Sequence, residues 1–510
     1  MNPIDSVIAW LSPQRAVARA RARQILGAYE AARPTRTRRN PADNSSGDQV
    51  ALWAGQELRG QARVLDQNHD VAAGVLDVLV RNTVGKGIGI EPQPKTTDGD
   101  IDDATADALS DLWKDWCKRP EVTQELSWGK AQRLAARAWF RDGEVLIRDH
   151  SGGVSGMVHG TQVKYSIELF EADFLPLDYN DASKRIVQGV EKDVWGRPVA
   201  YHLYTEHPGG TLHTRGSYRR VPAQFMHHVK MVNRLHQTRG ISVFATVLNR
   251  LNDIKDYEES ERVAARIAAA MAVYIKKGGA EDYGTNGTTT DENGVERRIF
   301  GPVAPGMIID DLLPGEDVGM ISSDRPNPNL GNFRADMLRA VAAGTNAGYS
   351  SISKNYNGTY SAQRQELVEQ WGAYEILSDE FIDWFVRPVW EQFVGLAISS
   401  RRLELPKGVD PSSIADADFI TPSMPWIDPL KEADADLTLV DGLLTSPQKI
   451  IRRRGGNPRD VLDQHQRWRK ELERRDLKLP TQAPAAAAAT PDQPTDRVRV
   501  IRGGKHEEVV

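Results

Sequence analysis

The sequence predicts an α+β protein that is mostly helical, and three observations support this fold class. Apolar residues recur at helical spacing over residues 50–82, 104–118 and 130–141. Short apolar runs of strand character begin at residue 144, directly after a glycine. Further along, residues 241–277 contain neither proline nor glycine, which predicts one long helix.

The composition is typical of a folded, soluble protein. Its 510 residues are enough for roughly three domains, and 26% of them are charged. A net charge of −5 hides two basic regions, residues 1–64 and 445–480, and an acidic one, residues 278–326. Each is equally consistent with an ordinary solvated surface. Cys117 is the only cysteine, which excludes an intrachain disulfide and favours a reducing compartment.

Both ends of the chain are predicted to be flexible, and the first folded region lies between them. Residues 1–48 form an arginine-rich arm, and residues 481–510 begin with proline, alanine and threonine, which offer little apolar surface to bury. Residues 49–240 read as α+β. Within them, strand patterns at residues 144–148, 165–175, 186–193 and 198–204 include a hairpin with its turn at residues 194–197.

The second half of the sequence, from residue 241 onward, predicts long helices separated by polar segments. The helix at residues 241–277 would end at Gly278 and span roughly 55 Å, long enough to need burial against copies of itself. Residues 278–328 are rich in glycine, proline and acidic residues, with a small strand expected at residues 307–309. Asn332 is a candidate cap for a helix over residues 333–343, with Gly344 past its end.

A polar loop at residues 349–360 precedes the last long helix. Ser361 is a plausible cap for this helix, which reaches about residue 399 and is expected to kink at Pro388. Its aromatic residues, from Trp371 to Phe385, recur at helical spacing and are expected to pack rather than to bind a ligand.

Motifs for catalysis, cofactors and metals are not found in the sequence. No phosphate-binding loop occurs, and the glycines of residues 85–89 have the wrong spacing for a dinucleotide site. Six histidines lie between His202 and His236, but they match no metal-binding pattern, and His227 and His228 would face opposite sides of a strand. We therefore expect no enzyme activity, no cofactor and no metal.

Several segments, in order, resemble the portal proteins of lambda-like tailed bacteriophages. Any one of these similarities is weak, but together they run through most of the chain. The segments are residues 189–202 (GVEKDVWGRPVAYH), 236–240 (HQTRG), 313–316 (LPGE), 325–326 (RP), 353–364 (SKNYNGTYSAQR), 369–371 (EQW), 426–429 (WIDP), 431–432 (KE) and 441–443 (DGL).

The resemblance implies a ring subunit, usually one of twelve, with wing, stem, clip and crown regions around a channel. Carried onto this chain, it makes residues 49–240 the wing, 241–277 a stem helix, 278–328 the clip, 329–348 a second stem helix, 349–360 a channel loop, 361–400 a kinked aromatic helix, and 401–480 the wing return and crown. The ring would lie at the portal vertex of the virion and assemble in the host cytoplasm.

The resemblance also implies partners and sites. Besides its own copies, the partners would be the major capsid and scaffold proteins, the large terminase, the head-completion proteins and double-stranded DNA without sequence specificity. The candidate DNA-channel residues are Tyr349, Lys354, Asn355, Tyr356 and Asn357. The candidate docking residues of the clip are Asp310, Asp311, Glu316 and Asp317.

Two other functions remain open at this point. One is a head–tail adaptor or scaffold protein of different architecture. The other is a packaging enzyme with an unfamiliar site, such as a nuclease or an ATPase. Without the resemblance, residues 349–360 would be read as an ordinary surface loop, because such a loop has the same composition.

Overall fold

The computed structural model describes residues 14, 43–211, 217–269, 273–276, 289–290, 296–297, 317–320, 329–425, 428–475 and 477. Side chains of residues 267–269 and of the strands between residues 273 and 320 are not among them. Two compact units are present, residues 1–427 and residues 428–510. The predicted class is confirmed, since helices predominate and small antiparallel sheets accompany them.

Four helices open the first unit: α1 (Gly47–Asn68), α2 (Asp70–Thr83), α3 (Asp103–Trp116) and α4 (Trp128–Asp142). The single helix expected over residues 50–82 is wrong, because His69 adopts an extended conformation between α1 and α2. Its ring holds the break in place: Nδ1 accepts a hydrogen bond from the N–H of Val71, and Nε2 lies 2.9 Å from the carbonyl oxygen of Leu251. The other two predicted helices are confirmed.

Two antiparallel sheets follow. In the first, β2 (Glu144–Ser151) lies between β3 (Tyr165–Glu171) and β8 (Met226–Lys230). The second has the order β4 (Ile186–Val187), β5 (Val190–Lys192), β6 (Pro198–Tyr204) and β7 (Tyr218–Pro222). The predicted hairpin is confirmed as β5–β6. The expected strand over residues 186–193 is split, because Gln188 and Gly189 have positive φ angles of 51° and 80° and turn the chain.

The remaining strands form two-stranded ladders. β1 (Gly89–Pro92) pairs with β13 (Ala417–Ile420), which ties the start of the first unit to its end. β9 (Val273–Lys276) pairs with β12 (Asp317–Met320), and β10 (Thr289–Thr290) pairs with β11 (Glu296–Arg297). The strand expected at residues 307–309 lies outside the described residues.

The prediction of one long helix over residues 241–277 is wrong at both ends. A short 3₁₀ helix, Val243–Thr246, comes first, and α5 extends only from Leu248 to Ala269. Residues 273–276 form β9 rather than a last helical turn. Over its 22 residues α5 spans roughly 33 Å. The β-branched and aromatic residues of Val273–Lys276 favour a strand, and the partner β12 supplies its hydrogen bonds.

The second predicted stem helix is present as α6 (Leu330–Thr345), but both of its predicted end residues are wrong. Asn332 lies inside the helix, and so does Gly344. The left-handed C-cap is Asn346, with a φ of 54°. A Cβ at Gly344 would lie 2.4 Å from Cγ1 of Val247, so glycine here permits α6 to pack closely on the residue after the 3₁₀ helix.

Helices α7 (Tyr349–Ser353), α8 (Tyr360–Phe381) and α9 (Arg387–Ser399) follow within residues 346–425. Thr359, rather than Ser361, caps α8, and its side chain accepts a hydrogen bond from the N–H of Ala362. A π-helical turn, Ile382–Val386, separates α8 from α9. Pro388 has no N–H to donate to the preceding turn, and the π turn precedes it directly. The predicted interruption of this long helix therefore begins one turn before the proline.

The core of the first unit is built around stacked aromatic side chains. The rings of Trp113 and Trp116 lie 4.6 Å apart, and Trp128 contacts both. Trp390 and Phe393 of α9 close the cluster from the other side. Aromatic residues of α9 thus pack against α3. Of the aromatic residues predicted to pack, Trp371, Tyr374, Phe381 and Phe385 are buried, whereas Trp384 is 39% exposed.

A buried ionic cluster lies beside this core, at the start of β2. Glu144 is fully buried, and it accepts hydrogen bonds from Arg239 Nε at 2.9 Å and from the N–H of Gly240 at 2.9 Å. His228 Nε2 lies 2.9 Å from the same carboxylate, and Arg59 lies 3.4 Å away. Burial alone would raise the pKa of Glu144, but Arg239 and His228 hold it well below its ordinary value. The carboxylate is therefore ionised and paired.

The second unit contains three helices among its described residues: α10 (Pro429–Asp441), α11 (Pro447–Arg453) and α12 (Pro458–Arg474). Each has proline in its first turn and a side-chain N-cap, from Asp428, Ser446 and Asn457 respectively. Asp436 of α10 pairs with Arg453, the last residue of α11, and with Arg454, which follows it. None of the helices described in either unit is both long and apolar enough to cross a membrane.

Candidate functional site

The predicted channel loop at residues 349–360 is only partly a loop. Its first five residues form the helix α7, and its last residue begins α8. The non-helical part is therefore the six-residue stretch 354–359. Composition did not reveal α7, because serine-rich segments carry little helical signal and this helix forms through contacts at its base.

That base is fixed by side chains of α8. The N–H of Gly348 donates to the hydroxyl oxygen of Tyr374 at 3.1 Å, and Tyr374 is buried. The carboxylate of Glu366 accepts hydrogen bonds from both the N–H and the hydroxyl of Ser350. Ile352 is buried in the main core. The segment is thus held rigidly where it leaves α6 and where it meets α8.

Tyr349 is the predicted channel residue that the structure places elsewhere. It is half-buried, packs against the core, and lies under the guanidinium of Arg339, which is 5.2 Å from the ring centroid. Tyr349 therefore lies beside the core rather than with the four exposed residues, and its contact with DNA stays a prediction. Its position at the first residue of α7 explains this burial.

The other four predicted channel residues, Lys354, Asn355, Tyr356 and Asn357, are all exposed. Lys354 terminates α7 with a left-handed φ of 55°. Asn355 then accepts a hydrogen bond at Oδ1 from the N–H of Asn357 at 3.1 Å, and the side chain of Gln363 donates to the carbonyl oxygen of Tyr356. These contacts give the tip a defined conformation and leave the Lys354 ammonium and the Tyr356 ring, 59% exposed, in solvent. We refer to residues 354–360 as the polar tip.

The charge of the polar tip is positive. The sequence contains no acidic residue from Asn346 to Gln365, while it contains Lys354 and Arg364. Such a surface attracts phosphate, and the nearby hydroxyls and amides can bond to backbone oxygens of any sequence.

The predicted docking residues are described only in part. Asp310, Asp311 and Glu316 lie outside the described residues. Asp317 is the first residue of β12, in register with Lys276 of β9. The position of Asp317 at the end of a two-stranded ladder is thus defined, and the docking role of all four residues stays a prediction.

One group of possible metal ligands occurs in the described part of the chain: Glu171, Asp173 and His207, with ligand atoms within 4.8 Å of one another. Arg63 pairs with both carboxylates, Arg59 pairs with Asp173, and Arg141 pairs with Glu171. Three guanidinium groups at these oxygens oppose the binding of a cation. The arrangement is therefore an ion-pair network between α1, α4 and β3.

The histidines that the structure describes between His202 and His236, which were expected to be structural, do not share one site. Three of them contact different carboxylates. As predicted from their adjacency in a strand, His227 and His228 face opposite sides of β8, and they lie beside Asp149 and Glu144 respectively. His202 lies beside Glu191. Asp149 and Glu144 lie 78 and 84 positions from their histidines, so sequence spacing could not reveal these two contacts.

The sequence matches a family model described as "Phage portal protein, lambda family" over residues 33–377, about two thirds of its length. The chain belongs to this family. The fold class and the family match agree with the resemblance seen in the sequence.

Relatives of this portal-family chain include three named proteins. A "Probable portal protein" of Halomonas phage phiHAP-1 is 24% identical over 449 residues, which cover 86% of this chain and 85% of the relative. "Portal protein B" of Escherichia phage lambda is 23% identical and covers 84% of this chain and 86% of its own length. The "Portal protein" of Escherichia phage N15 is 24% identical over 277 residues, covering 49% of this chain and 51% of the relative.

Solved structures with some similarity come from gene transfer agent particles. A chain of the neck of a native particle, computed with C12 symmetry, has a TM-score of 0.43 and 12% identity. It covers 81% of this portal-family chain and 99% of its own length. A chain of the native virion gives a TM-score of 0.42 at 11% identity, with coverage of 81% and 99%.

Proposed function

We propose that the protein forms a closed ring at one vertex of a phage capsid, and that double-stranded DNA passes through the ring during packaging and ejection. The observation that carries this proposal is the family match over residues 33–377. A ring of twelve subunits follows from the family resemblance. The ring is structural, with no catalytic role of its own.

The polar tip is the proposed contact with DNA in the channel. It is exposed, it lies between the second stem helix α6 and the aromatic helix α8, and its base is fixed by Tyr374 and Glu366. A rigid base keeps the tips of all subunits at one height in the ring. Each subunit would then present Lys354, Asn355, Tyr356 and Asn357 to the DNA backbone.

A low charge at each tip suits a channel through which DNA must slide. Each phosphate paired with a cation adds a salt-dependent contribution to affinity, so a surface dense in lysine and arginine would hold DNA in place. The single lysine of each polar tip, Lys354, attracts DNA without binding it tightly. The amides and hydroxyls contact phosphate oxygens at any sequence, because every nucleotide offers the same backbone.

The first prediction concerns Lys354. We expect Lys354→Ala to leave ring assembly intact and to alter the amount of DNA packaged or retained, because it removes one cation per subunit from the channel. The measurements are particle images of the purified protein and nuclease-protected DNA per capsid. Lys407→Ala serves as the matched control, since Lys407 is also exposed in a loop of the first unit. Normal packaging and retention by the Lys354→Ala phage would refute the channel assignment.

Docking of other proteins is proposed for the clip, residues 278–328, through Asp310, Asp311, Glu316 and Asp317. The partners are the large terminase during packaging and the head-completion proteins afterwards. The capsid shell and scaffold proteins are the proposed partners of the outer ring surface. Assembly would take place in the host cytoplasm before the ring becomes part of the virion.

The alternatives differ from this proposal in measurable ways. An adaptor or scaffold protein of another architecture would give particle images without a ring that has a central hole. A packaging enzyme would hydrolyse ATP or cut DNA in purified form, and a point substitution in this chain would abolish that turnover.

A further inference from the structure

The tip of the β5–β6 hairpin presents an unusually exposed tryptophan. Trp195 is 84% exposed, its neighbour Val194 is 68% exposed, and the Arg197 side chain is 81% exposed. Large apolar side chains gathered on a protruding turn are typical of an interaction site.

The hairpin tip is preorganised. The carboxylate of Asp193 accepts hydrogen bonds from the N–H groups of Trp195 and Arg197, both at 2.8 Å, and from Arg197 Nε at 2.9 Å. Gly196 has a φ of 86°, which the turn requires. A rigid aromatic anchor loses little conformational entropy when it binds, so it contributes more to affinity than a mobile one.

An apolar groove lies in the first unit, on the surface formed by α4, β3 and the segment that follows β6. A cavity of about 350 Å³ opens between α4 and β3, lined at its centre by Leu126, Leu134, Leu169 and Phe170. Leu134 is 46% exposed there. A second cavity of about 490 Å³ shares Leu169 and Phe170 with the first and extends it toward the segment that follows β6.

The rim of the groove is acidic. Glu121, Glu125, Glu168, Glu171 and Glu206 line the two cavities, and Arg137 and Arg141 are the arginines among the lining residues. Glu168 pairs with Arg148 and His150, and Glu171 pairs with Arg63 and Arg141, so the exposed carboxylates of Glu125 and Glu206 are the ones that can receive a further cation. Arg137 is paired with Asp66 and Asp77, and Arg141 with Asp142 and Glu171. An occupant with an apolar anchor and a cation would therefore suit the groove.

The two surfaces lie at opposite ends of one strand. The hairpin tip directly precedes β6, and the segment that lines the second cavity, residues 205–211, directly follows it. The seven residues of β6 separate the ends by roughly 20 Å. The tip of a subunit therefore cannot fill its own groove. A head-to-tail contact requires two different, complementary surfaces on each subunit, and repeated head-to-tail contacts close into a ring when the rotation between neighbours permits it.

We propose that the Trp195 hairpin of one subunit docks in the Leu134 groove of the next copy. Arg197 pairs with Asp193 through Nε, and the exposed end of its guanidinium would face Glu125 and Glu206 of the rim. This inference rests on the proposed ring. It adds the specific contact between the wings of neighbouring subunits. The occupant of the groove is thus a second copy of this chain.

The first arm of the test is substitution. Trp195→Ser and Leu134→Lys should each raise at least about 30-fold the protein concentration at which half of the full-length chains are in rings, because an aromatic anchor and its pocket dominate such contacts. The turn is held by Asp193, so the fold should survive, as an unchanged urea midpoint would confirm. Trp53→Ser is the matched control, since Trp53 is 68% exposed on α1.

The second arm detects the contact directly. In a Cys117→Ala background, the double variant Trp195→Cys/Leu134→Cys should form, on mild oxidation of assembled rings, a disulfide-linked ladder on a denaturing gel. A mixture of the two single variants should give linked dimers and no longer species. The control pair Trp53→Cys/Leu134→Cys should give no ladder.

The outcomes separate this inference from the proposed function. Rings that form normally but give no ladder overturn the hairpin–groove contact and leave the portal function standing. The inference also fails if Trp53→Ser weakens assembly as much as Trp195→Ser does. A wild-type protein that stays monomeric at all concentrations overturns both. A ladder, together with weakened assembly of both contact variants, supports the inference.

Discussion

At the scale of single residues, the cluster around Glu144 determines how the first unit is held together. Its carboxylate is fully buried, and Arg239, which pairs with it, is fully buried too. Two glycines that touch in space, Gly143 and Gly240, permit this arrangement. A Cβ at Gly240 would lie 2.0 Å from the carbonyl oxygen of Gly143. The backbones at Gly143 and Gly240 therefore touch although they are distant in sequence. This contact brings Glu144, which follows Gly143, next to Arg239, which precedes Gly240.

The second prediction is that Glu144→Gln destabilises the protein strongly. The substitution keeps the shape of the side chain but leaves Arg239 buried without a counter-charge. Breaking a buried pair in this way costs roughly 3–5 kcal/mol of unfolding free energy. Urea unfolding followed by tryptophan fluorescence measures the change.

The control is Glu191→Gln, which breaks a strand-borne pair of the same type in a more exposed setting. Glu191 lies 2.8 Å from Arg220, whose side chain is 49% exposed. Such surface pairs contribute about 1 kcal/mol or less. Equal losses from the two substitutions would contradict the role assigned to the Glu144 cluster.

The residues of this cluster also show the limit of prediction from sequence. The segment containing Arg239 and Gly240 was identified only because it resembles the family. Nothing in the local pattern says that Arg239 reaches Glu144, which is 95 positions away. A buried pair of this kind forms through tertiary structure, which a single sequence does not encode in its spacing.

At the scale of elements, helices and hairpins with strong local signals were predictable, and their ends were not. The helices α3 and α4 and the β5–β6 hairpin agree with expectation. The stretch over residues 241–277 was misread because the absence of proline and glycine permits a helix without requiring one. Pairing between β9 and β12 outweighs the helical tendency there, since β-branched and aromatic residues suit a strand.

The candidate site was predictable to a similar degree. Lys354, Asn355, Tyr356 and Asn357 are exposed in one tip, and their contact with DNA stays a prediction. Tyr349 is half-buried instead, because α7 forms where a loop was expected and turns the ring toward the core. The hydrogen bonds of Tyr374 and Glu366 that anchor α7 come from another helix, so composition gave no sign of them.

The third prediction belongs to the clip, where β12 begins at Asp317. Neutralising Asp310, Asp311, Glu316 and Asp317 together, as Asn or Gln, should weaken terminase binding and leave rings intact. The acidic segment is expected to bind through exposed charge pairs, which salt screens beyond roughly 10 Å at 0.1 M. Binding of purified terminase to rings at several salt concentrations measures the effect.

The control for this experiment neutralises four acidic residues outside the clip, on the exposed faces of α3 and α8: Asp107, Asp111, Glu369 and Glu375. That variant should bind terminase as the unmodified ring does. Unchanged binding after the clip substitutions would mean that docking uses another surface.

At the scale of the whole molecule, the two units differ in how they are stabilised. The main core cluster of the described residues draws its members from residues 58–424 and none from the second unit. In the second unit the described helices leave large apolar side chains exposed, among them Leu430, Leu437, Leu462 and Trp468. The first unit thus contains a complete core of its own. The resemblance implied the wing return and crown in residues 401–480, but the sequence did not predict this difference in stabilisation.

The last prediction follows from that core. A chain ending at residue 427 should fold with an unfolding free energy within about 1 kcal/mol of the full-length value, because it loses no member of the main cluster. It should also still assemble into rings, since the Trp195 hairpin and the Leu134 groove both lie in the part retained. Urea unfolding and particle images of the truncated protein test the two statements separately. A truncated chain that loses cooperative unfolding would show that the second unit completes the fold. One that unfolds normally but stays monomeric would show instead that the exposed leucines of α10 and α12 hold neighbouring subunits together.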